Sequence, residues 1–118
     1  MVVTLIVGIL VAIAIPVLRA ASATAQTRTC FANQRSIESA AAIWRVDSAT
    51  AVPAGVVNEG HVLMNPKYLK RPPRCPSAPP AADTDNPTSA EGAYSIDASG
   101  NVEPCGFGGP THGSFRGP

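Results

Sequence analysis

The chain has 118 residues, 45% hydrophobic and 14% charged, with a formal net charge of +1. That length admits one small domain plus an appendage, and a near-neutral balance gives nucleic-acid binding no support. With three phenylalanines, two tyrosines and one tryptophan, its polar part is lean in large side chains and is expected to need a crosslink, a metal or neighbouring subunits.

The apolar residues crowd the start, where "MVVTLIVGILVAIAIPVLRAAS" has only Thr4, Gly8 and Pro16 outside the apolar set in residues 1–18. Three readings compete for this stretch. A secretory signal would carry a basic n-region and a small-x-small cleavage site. "AASATA" offers such a site, but no basic residue precedes the run and Arg19 stands between run and site. A buried core helix would need a protein large enough to surround it, which a polar, proline-rich remainder does not provide. A membrane helix suits the hydropathy, although the run is short of the roughly 20 residues that span a bilayer. Arg19, the nearest charge, also follows the run instead of preceding it.

Residues 19–48 read as the continuation of the same helix. Neither proline nor glycine occurs between Val17 and Val52, and alanine, glutamine, arginine and glutamate favour helix. Cys30, Ile37, Ala41 and Trp44 recur at helical steps and share one face, while Arg35 can reach Glu38 one turn on. The simplest arrangement is one helix of about 45 residues, roughly 70 Å long.

Residues 49–118 read as a small Pro/Gly-rich head. "SATAVPAGVVNEG" is expected to be loop, and "HVLMNPKYLKRPPRCP" a turn or short helix closing into an extended proline stretch. "SAPPAADTDNPTSAEG" is loop by composition. "AYSID" and "NVEPC", separated by Ala98, Ser99 and Gly100, suggest a β-hairpin near residues 93–105 with Gly100 at the left-handed position. The tail "GFGGPTHGSFRGP" is flexible or held by a crosslink. The fold class expected is therefore α+β: a long N-terminal helix, apolar in residues 1–18 and amphipathic in residues 19–48, carrying a small head.

Burying one Leu or Ile side chain contributes about 1.5 to 3 kcal/mol, so the Val, Ile and Leu residues of positions 2–15 represent roughly 15 to 30 kcal/mol before chain entropy is subtracted. Such a segment is stable in lipid or against copies of itself. Pro16 lacks an amide hydrogen and crowds the carbonyl of Ala12, costing about 3 kcal/mol in a regular helix interior. Gly8 adds up to about 1 kcal/mol relative to alanine. Residues 8–16 are thus the softest part of the helix.

"VVTLIVGILVAIAIPVLRAAS" resembles the N-terminal helix of type IV pilins and of type II secretion pseudopilins, with Gly8 and Pro16 at that family's spacing. "CFANQRSIESAAAIWRVD" and "YLKRPPRCP…AYSIDASGNVEPC…THG" resemble, more loosely, the continuing helix and the small hairpin head of competence-type and general-secretion-type pseudopilins. The register places Met1 a few residues after the family's cleavage point. Met1 then reads as an internal methionine, with the leader, the methylated residue and the family's glutamate lying upstream.

The resemblance implies a structural subunit and not an enzyme: anchored in the bacterial cytoplasmic membrane by a single pass, with its head in the periplasm or outside, then packed helix to helix into a filament. Partners implied are further copies in a homo-oligomeric filament, other minor pilins or pseudopilins, an assembly ATPase, a membrane platform protein, a prepilin peptidase for the precursor, and the lipid bilayer. Gly8 and Pro16 become packing or kink positions. Protein export, DNA uptake and adhesion all remain open as the filament's task. The basic window of Lys67, Lys70, Arg71 and Arg74 leaves DNA a weak option.

An exported head would meet an oxidising compartment, and a Cys75–Cys105 disulfide around the hairpin would contribute about 3 to 4 kcal/mol. Cys30 is then left over, as a buried small apolar residue in preference to a bridge to another chain. A weaker alternative is a zinc site of Cys75, Cys105 and His112 with His61 or Cys30 as fourth ligand, in which only Cys105 and His112 are close in sequence. It would suit a small secreted binding module behind an export signal. Asp83 and Asp85 have a calcium-loop spacing without the glycine and glutamate that normally follow, so a solvated loop is expected. No cofactor is expected, and no nucleophile–base arrangement or phosphate-binding glycine loop occurs, with His61 and His112 in unsupported loops.

Overall fold

The computed structural model describes residues 1–79, 87–88 and 91–105. A single helix, α1, runs over Val2–Ser48, and the molecule measures 70 × 31 × 23 Å along its principal axes. The helix continues through both Gly8 and Pro16 without a break. Beyond it lies a two-stranded antiparallel sheet, β1 at Gly55–Val56 and β2 at Ser95–Ile96, paired Gly55 to Ile96 and Val56 to Ser95. The expected combination of a long helix and a small β-containing head is therefore present.

α1 has two unlike halves. Every residue from 1 to 25 is exposed. From Cys30 onward one stripe is buried, consisting of Cys30, Gln34, Ile37, Ala40 and Ala41, with Trp44 half-buried below it. Steps of four and three residues keep these side chains on one face of the cylinder. The alanines let the head approach closely, while Ile37 supplies the main aliphatic volume. The helix ends at Ala49, whose left-handed φ of 53° turns the chain and whose N–H bonds the Arg45 carbonyl at 3.0 Å. Ser48 Oγ donates to the Trp44 carbonyl at 2.7 Å beside it.

The head differs from the expected hairpin in its pairing. The segment expected to be loop provides β1, and the principal partner of β2 is this distant strand. The expected hairpin is reduced to a single antiparallel bridge between Ile96 and Val102, flanked by bonds from Asp97 N to Asn101 O and from Glu103 N to Ser95 O, both 2.9 Å. Its turn is as expected at Gly100, where φ is 77°. A second bridge joins Arg74 to Ala93, so residues 93–96 serve as the central rail on which the other segments align.

Val52, Val57, Leu63, Cys75, Tyr94, Ile96, Val102 and Cys105 close over the helix stripe to form the core. Of the turn or short helix expected near "HVLMNPKYLK", the turn is what forms, as successive tight turns with Tyr68 N and Leu69 N both bonding the Asn65 carbonyl. Asp47 near the helix end pairs with Lys67 at 2.6 Å and accepts a 2.8 Å bond from the Tyr68 hydroxyl. Tyr68 meets Trp44 edge to face at 5.5 Å. Among the described residues, Trp44 Nε1 is a buried side-chain nitrogen without a hydrogen-bond partner.

Candidate thiol site at the junction of helix and head

The three cysteines come from three separate parts of the chain and meet in one place. Cys30 stands on the buried stripe of α1, Cys75 follows the bridge at Arg74, and Cys105 follows the bridge at Val102. Their Sγ atoms all lie within 4.8 Å of one another, and their exposures are 0%, 3% and 7%.

Local hydrogen bonds set each position. Asn33, one turn after Cys30, donates from Nδ2 to the Arg74 carbonyl at 2.8 Å. The Arg74 guanidinium donates to the Glu91 and Pro79 carbonyls, and Cys75 N bonds the Gly92 carbonyl at 2.9 Å. Gly92 has a φ of 90°, and a Cβ on it would collide with Ala78 Cβ. Only glycine fits where the 75–78 turn crosses residues 92–94. On the helix side, Glu38 Oε1 accepts a 3.3 Å bond from Val102 N, which holds the segment leading to Cys105.

Two donors are directed at Cys30. Gln34 Nε2 lies 3.6 Å from its Sγ, and the Tyr94 hydroxyl lies 3.3 Å from it. Gln34 is fully buried although its residue type is polar. Burial pushes the Cys30 thiol up, an effect that the Tyr94 hydrogen bond opposes. The Tyr94 phenol is raised by burial first and by its bond to Cys30 second, which keeps it protonated as a donor.

The expected Cys75–Cys105 pair is thus brought together, but as two members of a trio, and none of the three is in a disulfide in this structure. Cys30 is buried as expected and is not isolated. His61 is engaged elsewhere, its Nε2 3.0 Å from the Pro53 carbonyl and its Nδ1 accepting from Leu63 N at 3.3 Å. His112, Asp83 and Asp85 lie outside the described residues. Of the basic window, Lys67 is spent on Asp47 and Arg74 on backbone carbonyls, leaving Lys70 and Arg71 exposed on the surface.

The membership of Gln34 was missed in the sequence because a glutamine on an apolar stripe resembles solvent-facing decoration. Its place four after Cys30 and three before Ile37 is the signal that could have found it.

A second feature is the bare half of α1. The helix is long and apolar enough to cross a membrane, and its apolar window is wholly unburied within this chain. A membrane anchor is compatible with this, although a soluble protein or an export signal passes the same test of length and composition. A Cβ built at Gly8 meets nothing within 4 Å, so the packing of this chain alone does not require glycine there.

Comparison with protein-family models, with curated proteins and with solved structures finds no match to this chain.

Proposed function

We propose that the chain is a structural pilin-like or pseudopilin subunit, held in a membrane by the first half of α1 and assembled by packing of that half against copies of itself. The observation that carries this reading is the exposed apolar stretch in residues 1–18, joined without a break to a half-helix that a small head covers on one face. Water does not tolerate such a surface, and lipid or neighbouring helices satisfy it. An unpartnered Gly8 and a mid-helix Pro16 suit a segment that packs closely and bends in an assembly. A prepilin peptidase, an assembly ATPase and a membrane platform would act on it from outside, and other minor pilins or pseudopilins would share the filament.

The cysteine trio favours a second reading, a small secreted module with a structural metal site whose apolar start is an export signal. Fractionation of the producing cells separates the two. A subunit of the proposed kind remains in the membrane with its apolar helix intact, and engineered cysteines at positions 9 and 13 crosslink copies to one another. Recovery of a soluble head beginning near Ala25 would overturn the filament reading and support the secreted module. The in-frame codons upstream of Met1 give an independent check: a basic leader, a glycine and a Phe-Thr-Leu-x-Glu opening are expected.

A further inference from the structure

The geometry points to a thiophilic metal site, with Cys30, Cys75 and Cys105 as three thiolate ligands to a Zn²⁺-class ion. The inference is independent of the filament reading, since a head in a filament and a soluble head would bind alike.

The arrangement of the sulfurs is the first argument. Zn–S bonds of about 2.3 Å place the sulfurs of a tetrahedral site roughly 3.8 Å apart. The three Sγ atoms, all within 4.8 Å of one another, need only a small contraction to reach that spacing. A disulfide would engage two of them and leave the third thiol buried beside it, whereas a metal engages all three. Sulfur-only donors select a borderline-soft divalent ion over calcium or magnesium, which require oxygen ligands.

The surroundings of Cys30 supply the second argument. A neutral thiol in an aliphatic core needs no hydrogen-bond donors, yet Gln34 Nε2 and the Tyr94 hydroxyl both address its Sγ. Hydrogen bonds donated to sulfur stabilise the thiolate and orient it, as outer partners of metal ligands do. Gln34 is fully buried in this small core, and a buried amide is costly unless its polar atoms are bonded, as its Nε2 is to Cys30 Sγ.

Topology is the third. The ligands lie on the helix, after the Arg74 bridge and after the Val102 bridge, so one ion would tie α1 to two segments of the head. A head lean in large side chains gains most from such a tie, because metal affinity then appears as folding free energy. Binding breaks three S–H bonds, forms three Zn–S bonds and releases three protons to solvent. The fourth position of a tetrahedral ion is left to a ligand beyond these three.

The test uses the full chain, purified in detergent with a reductant and then titrated with Zn²⁺ alone and with Co²⁺ alone. One Zn²⁺ per chain, a thiolate-to-cobalt charge-transfer band and a higher Tm with zinc are expected. Cys30→Ser, Cys75→Ser and Cys105→Ser should each abolish stoichiometric binding. Because a cysteine variant can fail to fold, Gln34→Leu provides a second arm: its volume is nearly conserved, and zinc affinity should fall about 10-fold with the helical circular dichroism retained. Full zinc affinity in both Cys30→Ser and Gln34→Leu would overturn the site. So would a chain about 2 Da lighter without reductant that binds no zinc after reduction.

Discussion

Asn33 Nδ2 donates to the backbone carbonyl of Arg74 across 2.8 Å, a bond between residues 41 positions apart in sequence. It fixes the residue before Cys75 to the helical turn after Cys30, and so aligns the head with the helix at the thiol cluster. Asn33→Ala removes the donor and leaves a carbonyl in a half-buried junction, for which a loss of about 1 to 2 kcal/mol is expected. Urea denaturation in detergent, followed by Trp44 fluorescence, measures it.

Gly92→Ala should be more severe. It places a Cβ onto Ala78 Cβ at a positive φ of 90°, combining a steric clash with backbone strain, and about 2 kcal/mol or more should be lost. Thermal unfolding of the full chain reads the loss as a lower Tm.

At Ala49 the expected change is stabilising. This residue ends α1 with a left-handed φ of 53°, a conformation in which a Cβ costs roughly 1 to 2 kcal/mol and which glycine adopts freely. Ala49→Gly should raise stability by about 1 kcal/mol, and the same thermal measurement would show it as a higher Tm.

Acid should weaken the end of the helix and the turn in the head. Asp47 is held below the usual carboxylate range by Lys67 first and by the Tyr68 hydroxyl second, and Asp97 is held low chiefly by the backbone N–H of Asn101. A depressed folded value means that the unfolded chain binds more protons. The contribution of each is therefore whole above about pH 4 and is lost as pH falls through the lower folded value. Asp47→Asn should flatten the acid limb of a Tm-against-pH curve below about pH 4. Because the pair is exposed, the change should be small and should shrink further with added salt.

A charge in the bare half of α1 should act on the membrane and not on the head. Ile9 is 55% exposed and lies outside the folded core. Ile9→Lys is expected to leave the unfolding transition of the head unchanged. It should reduce retention in the membrane fraction, because a lysine near the centre of a span costs about 2.5 to 3.5 kcal/mol. Unaltered retention would argue against residues 1–18 as the anchor.

The sequence alone determined α1 almost to its last residue, because helix formation depends on near neighbours. An alanine-rich stretch without glycine or proline after Val17 forms its own i to i−4 bonds, and the steps linking Cys30, Ile37, Ala41 and Trp44 marked the face that the head covers. Gly100 was legible for the same reason, since a three-residue turn states its own need for a positive φ. Residues 1–18 likewise declared that their partner must be apolar, though not whether it is lipid or protein.

Only the tertiary structure decided which segments of the head pair. Two residues at Gly55–Val56 have too little pattern to announce a strand, and become one because 95–96 lies beside them. The thiol cluster was decided in the same way. Cys75 and Cys105 looked like a pair because they bracket a hairpin, while Cys30, far away on the helix, looked like filler. What joins the three is the docking of the head on the Cys30–Ala41 stripe, a packing between surfaces distant in sequence, and local pattern carries no record of such a contact.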